Sequence, residues 1–315
     1  MARILVTGGA GFIGSHVVEH LVAAGHEVGV LDDLSTGHRR NVPPGVPLFV
    51  CDIRDAALRE VFEAFRPEVV AHHAAQMSVR VSIQEPHRDA ETNIEGSINL
   101  LECAREFGTT KVIYASTGGA LYGEPRYLPC DEQHPVEPLS HYGISKHTVE
   151  HYLQLYKFLY GLDFTVLRYP NVYGPRQDPE GEAGVVAIFS GLMLEGQPIT
   201  IYGDGEQERD FVAVADVARA NVLALDRGSG AIVNLGSNHG ASVHQIAAGL
   251  AKATGYDLPP VYKPARLGEV YRIFLTNQLA QELLGWQPTI GLEDGLAEVI
   301  AWIRAGRPAP GDAAG

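Results

Sequence analysis

Cysteine is scarce in this chain, and so is positive charge. The three cysteines, Cys51, Cys103 and Cys130, are scattered through 315 residues. Their odd number and wide spacing fit neither a disulfide framework nor a CxxC metal knuckle, and each reads as a small core or surface residue. The thirteen histidines include no HExxH pattern, and no metal site is expected. Twenty-four Lys and Arg against 38 Asp and Glu leave a net charge of −14, a field that repels a polyanion and argues against a nucleic-acid partner. An anionic substrate would have to be held by locally placed arginines. No apolar run approaches the ~20 residues of a membrane helix, so no membrane association is expected. The chain opens on a core strand, so no signal peptide is expected and the location reads as cytoplasmic. Internal repeats and low-complexity segments are also missing.

Glycine, by contrast, is abundant. Three of the 35 glycines stand at every third residue in Arg3-Ile4-Leu5-Val6-Thr7-Gly8-Gly9-Ala10-Gly11-Phe12-Ile13-Gly14. Ile4 to Val6 read as a buried parallel strand. Phe12, Ile13, Val17, Val18, Leu21 and Val22 recur at helical spacing. Between strand and helix, Gly8 permits a tight turn, Gly11 lets the backbone approach a pyrophosphate, and Gly14 lets the helix pack close to the strand. The helix N-terminus then offers free N–H groups and a favourable dipole to two phosphates. A sharp turn with no ligand would use the same glycines, so a second signal is needed. Asp32 supplies it, eighteen residues after Gly14, at the end of the apolar run Val28-Gly29-Val30-Leu31. A carboxylate there can accept from both hydroxyls of an adenosine ribose and repels a 2′-phosphate, which favours NAD over NADP. Asp33 competes for that role and reads instead as a loop or cap residue.

Strands and helices keep alternating. Strands are expected at 46–50, 69–72, 111–115 and 164–167, and helices at 56–65, 89–107 and 142–159. The order predicts an α/β fold, a doubly wound parallel (Rossmann) sheet with right-handed crossovers. After Arg168 the rhythm breaks. Residues 170–184 read as loop, followed by helices at 185–194, 216–225 and 292–303, another capped by Ser242, and short strands at 199–202 and 232–235. This half is expected to form a smaller C-terminal α/β substrate-binding lobe. The expected domains are 1–172 for the cofactor, taking in the helix and strand at about 214–235, and 173–315 for the interlocked lobe, with a flexible tail from about 307. Ligands of open parallel sheets bind beyond the carboxyl ends of the strands, so the loops there should carry the chemistry.

Tyr142 and Lys146 stand four apart and share a helix face. An ammonium beside a phenol favours the phenolate and lowers its pKa below the reference of about 10. Tyr142 is therefore a candidate general base near neutral pH, and Lys146 can also hold the nicotinamide ribose. The strand at 111–115 runs into Ser116-Thr117-Gly118-Gly119-Ala120-Leu121-Tyr122-Gly123. Either hydroxyl, Ser116 or Thr117, could bond a sugar hydroxyl and share its proton with Tyr142.

With these motifs the chain resembles the extended short-chain dehydrogenase/reductases, most closely the UDP-glucose (UDP-galactose) 4-epimerases, over roughly residues 1–305. Further matching segments are Asp33-Leu34-Ser35-Thr36-Gly37, Asp52-Ile53-Arg54, His73-Ala74-Ala75-Gln76, Asn93, the run from Arg168 to Gln177, Gly203-Asp204-Gly205, Arg209-Asp210-Phe211-Val212 and Arg266-Leu267-Gly268-Glu269. The resemblance implies an isomerase with one tightly held NAD that is not consumed, a UDP-sugar substrate, and a homodimer joined through the helices at 89–107 and 142–159. It implies that Gly8, Gly11 and Gly14, with the N–H groups of Phe12 and Ile13, hold the pyrophosphate. Asp32 takes the adenosine ribose, with Asp33, Leu34, Ser35, Thr36 and Gly37 beside it, and Asp52 with Ile53 lines the adenine. Ala74, Ala75 and Gln76 pass alongside the cofactor, Asn93 supports it, and Ser116, Tyr142, Lys146 and Tyr169 adjoin it. On the substrate side, Asn171 contacts the diphosphate and Arg209 and Arg266 clamp its oxygens with guanidinium forks. Thr200 and Tyr202 flank the uracil, and Val185, Glu269, Thr117 and Tyr142 complete the set.

The implied cycle begins when Tyr142 takes the proton of the sugar 4-hydroxyl and hydride passes from C4 to the cofactor. The 4-keto sugar turns about its diphosphate link, and hydride and proton return to the other face. Several residues depart from the family pattern. Gly118 lacks the hydroxyl that many 4-epimerases carry third in the run, so Thr117 or Ser116 must supply it, Thr117 being preferred. Pro170 replaces Phe or Ala before Asn171. Ile273, branched at a position that grades the substituent on C2, disfavours N-acetylated sugars. Asp178 stands where uronate-acting relatives carry Arg, and Gly118-Gly119 replace the Asp-Glu pair of the 4,6-dehydratases. A UDP-glucuronate 4-epimerase, or another nucleotide-sugar 4-epimerase or 4,6-dehydratase, is the alternative.

Overall fold

Apolar runs too short for a helix make strands buried on both faces, and such strands require parallel pairing with helices above and below. The computed structural model describes residues 1–179, 184–265 and 270–310. The first half runs β1 (Arg3–Thr7), α1 (Phe12–Ala23), β2 (Glu27–Asp32), β3 (Leu48–Val50), α2 (Leu58–Phe65), β4 (Val69–His72), α3 (Val79–Gln84), α4 (Pro86–Ala90), α5 (Gly96–Phe107), β5 (Lys111–Thr117), α6 (His141–Tyr160) and β6 (Asp163–Tyr169). The second half runs β7 (Asn171–Tyr173), α7 (Val185–Leu194), β8 (Thr200–Tyr202), β9 (Glu208–Arg209), β10 (Phe211–Ala213), α8 (Val214–Leu223), β11 (Ala231–Asn234), β12 (Ala241–Ser242), α9 (Val243–Thr254), β13 (Val261–Lys263), β14 (Arg272–Ile273), α10 (Gln278–Leu284) and α11 (Leu292–Arg304).

The central sheet has seven strands in the order β11-β6-β5-β4-β1-β2-β3, all parallel. One face packs Val17 and Leu21 of α1, Val217 and Ala218 of α8, and Trp286. The other packs Phe62 of α2, Leu100 and Leu101 of α5, and Val149 and Leu153 of α6. Each fully buried Leu or Val contributes roughly 1.5–3 kcal/mol. This is the doubly wound α/β sheet expected from the alternation; β11 forms one edge of it and α8 packs on its face. The remaining elements form a lobe around a separate core that includes Tyr173, Phe189, Ile201, Ile246, Leu250 and Leu296. Among the described residues, no helix is long and apolar enough to cross a membrane.

Several boundaries differ from expectation. β3 starts at Leu48 because Pro47 has no N–H to give the ladder, although its carbonyl accepts from Val30 N at 2.9 Å. The helix expected from Asp89 starts at Pro86 and passes through a π-helical turn at Glu91–Glu95 before α5. Residues 170–184 are not all loop, since β7 pairs with β10. Ser242 caps α9 in a full capping box with Gln245. In the segment expected to be a flexible tail, Arg307 N donates to Trp302 O at 3.1 Å and Trp302 Nε1 to Pro308 O at 3.1 Å. Residues 311–315 lie outside the described residues.

Candidate active site

At the carboxyl end of β1 the backbone is forced into shape by its glycines. Gly8 has φ of +67°, and a Cβ there would come within 2.7 Å of Ala74 N. A Cβ on Gly14 would come within 2.1 Å of Gly8 O, so only glycine lets α1 approach the loop. Gly11 differs, since a Cβ there would meet nothing nearer than Gly8 O at 3.2 Å. α1 starts at this point without a side-chain cap or an acid in its first turn, and the N–H groups of that turn, from Phe12 to Gly14, have no carbonyl one turn back to bond.

Asp32 ends β2 with 6% exposure and accepts from Ala10 N and Leu34 N, both at 2.9 Å. Burial raises its pKa, and those two N–H groups oppose the rise. Each carboxylate oxygen retains acceptor capacity. Asp33 closes its own turn by accepting from Ser35 N and Oγ, a loop role as expected. Gly37 packs against Asp32, where a Cβ would lie 2.8 Å from Oδ1, and Thr36 is exposed. Free N–H groups over a glycine cradle, with one buried carboxylate at the next strand end, fit a dinucleotide.

Around the neighbouring strand ends, Asp52 is paired with Arg54 at 2.6 Å, which holds its carboxyl below the usual range, and Ile53 is buried. Ala74 N donates to Thr7 Oγ1 at 3.1 Å, and Ala75 is half-buried beside it. Gln76 N donates to Asn93 Oδ1 at 2.8 Å, and Gln76 Nε2 to Asp89 Oδ1 at 2.8 Å. Asn93 lies in the π-helical turn and donates to Gln76 O, Asp89 Oδ1 and Ser145 Oγ. The extra residue of that turn thus ties the loop after β4 to α6. Tyr169 ends β6 with its hydroxyl 3.1 Å from His73 Nε2 and accepting from Asn221 at 2.9 Å.

α6 brings Tyr142 to the end of β5, where its phenol lies near enough to the Thr117 hydroxyl to be influenced by it. Ser116 is the other candidate hydroxyl, and the structure corrects that alternative. Successive strand residues face opposite ways, and Ser116 Oγ donates at 2.6 Å to Glu150, away from Tyr142. The expected lowering of the Tyr142 pKa is corrected as well. Burial, reinforced by the Asp89 carboxylate, pushes the phenol up to about 12, and the Thr117 hydroxyl only partly opposes it. Burial also pushes the Lys146 pKa down to about 8, against the pull of Asp89 and Glu150. Its ammonium lies 4.6 Å from the centroid of the Tyr114 ring. The residue missing at Gly118 has a steric cause, since a Cβ there would come within 2.2 Å of Leu275 Cδ1.

On the lobe side, Asn171 opens β7 with its N–H bonded to Asp210 O at 3.0 Å. Val185 begins α7, and Thr200 and Tyr202 bound β8. Arg209, in β9, donates from Nη1 to Glu208 O at 2.9 Å and Tyr271 O at 3.3 Å. Ile273 pairs with Arg209 and packs in an apolar cluster with Leu121, Tyr122, Cys130 and Leu275. Asp178 is exposed. Arg266 and Glu269 lie outside the described residues.

Three participants were not singled out from sequence. Glu150 accepts from Arg168 Nε and Nη2 at 2.9 and 2.6 Å. Burial raises its pKa, yet Arg168, His147 and Ser116 together hold it at about 2. Its signal was available, for Tyr142, Lys146 and Glu150 continue one i, i+4 row. Asp89 stands in the same relation to Asn93. Leu275 had no local signal, because only the fold brings it to Gly118.

The family model described as NAD dependent epimerase/dehydratase matches residues 4–236. A relative from Methanocaldococcus jannaschii, named as a putative UDP-glucose 4-epimerase, is 48% identical over 301 residues, covering 96% of this chain and 98% of its own. The UDP-glucose 4-epimerase of Mycolicibacterium smegmatis is 44% identical over 308 residues, with 96% and 98% covered. Among solved structures, the UDP-glucose 4-epimerase of Thermotoga maritima with UDP-glucose superposes with a TM-score of 0.95 at 49% identity, covering 96% of this chain and 99% of its own. That of Thermus thermophilus in complex with NAD gives 0.91 at 47% identity, again with 96% and 99% covered.

Proposed function

The chain belongs to the NAD-dependent epimerase/dehydratase family, and from that membership we propose that it is an isomerase that interconverts UDP-glucose and UDP-galactose. The observation that carries this reading within the chain is the meeting of Tyr142 and Thr117 at the end of β5, with Lys146 one turn along α6. When bound, NAD accepts hydride from C4 of the sugar and returns it to the opposite face, and its nicotinamide brings a positive charge to the site.

Gly8, Gly11 and Gly14 shape the loop that receives the pyrophosphate, and the N–H groups of Phe12 and Ile13 bond its oxygens. Asp32 holds the adenosine ribose. Thr117 donates to the sugar oxygen and keeps the Tyr142 hydroxyl aimed at it. Tyr142 is protonated in the chain itself, so it works as a base when positive charge reaches the site and as an acid on the return. Lys146 supplies part of that charge and binds the ribose. Asn171, Thr200, Tyr202 and Arg209 hold the UDP while the sugar turns, so the lobe fixes the nucleotide and leaves C4 free.

Gly118-Gly119 supply no acid for water loss, which sets the epimerase reading above the 4,6-dehydratase reading. The test is incubation of the purified chain with UDP-galactose and no added reductant. UDP-glucose should appear. Inertness there, with turnover of UDP-glucuronate, would replace the reading with the uronate one.

The outer face of α6 exposes Ile144 at 50%, Leu155 at 47% and Phe158 at 84%. An apolar stripe of this kind supports the reading that α5 and α6 meet a second copy. Phe158→Asp should shift the sedimentation of a dimer toward that of a monomer.

A further inference from the structure

Asp89 is the fourth residue of α4 and is 1% exposed. Two side-chain amides reach it. Gln76 Nε2 donates to Asp89 Oδ1 at 2.8 Å, and Asn93 Nδ2 donates to the same oxygen at 3.1 Å. Neither amide can be turned round. Gln76 Oε1 accepts from Ser78 N and Asn93 Oδ1 accepts from Gln76 N, and a backbone N–H can only donate. Both amides therefore present N–H groups to Oδ1, as an ionised carboxylate requires.

No cation accompanies them. Among the described residues none lies within salt-bridge distance of Asp89. The adjacent Arg88 pairs with Glu85 at 3.3 Å, and the Lys146 ammonium lies against the Tyr114 ring. A buried carboxylate held by neutral donors alone is costly, and its field acts undiminished on whatever charge comes near. What is near is the site. Asn93 Nδ2 also donates to Ser145 Oγ at 3.1 Å, Ser145 precedes Lys146 in the chain, and α4 packs on α6. Burial is the larger influence on Tyr142 and on Lys146, and at both the Asp89 carboxylate adds an upward pull.

Resting on the function proposed above, in which NAD is bound beside Tyr142 and Lys146, we propose that Asp89 sets the redox balance of the cofactor, its buried carboxylate serving as counter-charge to the oxidised nicotinamide. Accepting a hydride removes the positive charge of that ring, so a fixed negative charge close by favours the oxidised form over the reduced one. The hydride comes from C4 of the sugar and returns to it, and Asp89 exchanges no proton in either step. Its effect is to return hydride to the 4-keto sugar, so that the intermediate does not accumulate beside a reduced cofactor. The π-helical turn and the two amides fix where that charge stands.

The test uses the holoenzyme, reduced stepwise with dithionite beside a viologen dye of known potential, at about pH 6.5, well below the Lys146 value of about 8. The near-ultraviolet absorbance of reduced nicotinamide reports the midpoint of the bound cofactor, and NAD released on denaturation reports its content. Asp89→Asn keeps an oxygen for both amides, so it should fold and carry as much NAD as the wild type. Its ratio of reduced to oxidised cofactor at a given potential should rise about 10-fold, a midpoint about 30 mV more positive for a two-electron couple. A purely structural role would change NAD content or turnover and leave the midpoint unmoved. Asp89→Glu, which keeps the charge, should return the midpoint toward the wild-type value. Equal midpoints in the wild type and Asp89→Asn, both loaded with NAD, would overturn the proposal, and so would a midpoint in Asp89→Glu as high as in Asp89→Asn. A wild type that carries no NAD would instead overturn the functional reading, and this inference with it.

Discussion

β5 and β6 pair over seven residues, from Lys111 opposite Asp163 to Thr117 opposite Tyr169, whereas β9 in the lobe is two residues long. In the sheet, the backbone ladder and apolar side chains hold the strands. Around the lobe, two buried carboxylates stand in for a ladder, Asp216 on α8 at the sheet's face and Asp210 just after β9. Asp216 accepts from Thr289 N and Ile290 N at 2.9 Å and from Thr289 Oγ1 at 2.7 Å. Asp210 accepts from Ser237 N and Leu275 N. In the function proposed above, the chemistry that must place a hydride would sit on the ladder side. In the same proposal, nucleotide binding, which tolerates softer construction, would fall on the side whose loops are tied by single residues.

The strongest break of this contrast is Tyr142→Phe. Loss of a positioned acid–base group should lower turnover by about 10²–10⁴-fold. NAD released on denaturation should match the wild type, because the cradle of β1 is untouched. Retention of near-normal turnover would move the chemistry elsewhere.

Asp216→Ala is next. It strands two N–H groups and a hydroxyl, each costing about 1–3 kcal/mol if left buried without water. Hydrogen exchange should show protection lost around 286–291 and α8 first. Uniform loss across both regions would erase the distinction between them.

Gly118→Ser should cost roughly 1–3 kcal/mol by overpacking against Leu275. Gly118→Ser with Leu275→Ala should cost less than the two single changes added together, a coupling that thermal or urea unfolding measures. Strict additivity would deny that the lobe presses on the end of β5.

The smallest effect concerns Lys146. Its pKa falls from the ordinary lysine value to about 8 on folding, so the native state disfavours its charged form. The resulting penalty is full below about pH 8 and disappears as pH rises toward the unfolded value. Lys146→Met should therefore gain more stability relative to wild type at pH 7 than at pH 10 in urea unfolding. The opposite slope would place a partner beside the ammonium.

Sequence pattern revealed the sheet because both-face burial writes itself as short apolar runs, as in Val69–His72 and Lys111–Thr117. It missed β9, β12 and β14 because a two-residue strand has no periodicity to read. The same divide runs through the site. The tight turn at Gly8 and Gly14 and the strand end at Asp32 were legible because they are local to one strand-turn-helix unit. The helical row that carries Tyr142 was legible, but the protonation expected of its phenol was misjudged. That depends on burial and on Asp89, which is 53 positions away in the chain and meets it only through the fold. Ser116 and Thr117 were inseparable in sequence, and strand alternation separates them once Glu150 and Arg168 are in place.

The contact between Gly118 and Leu275 also constrains the routes open to descendants of this sequence. A hydroxyl at 118 costs least in a chain that has already accepted a smaller residue at 275. That first step empties space in a packed cluster and brings no return by itself. Change at the end of β5 is therefore easier in one order than in the other, with a substitution in the lobe coming first.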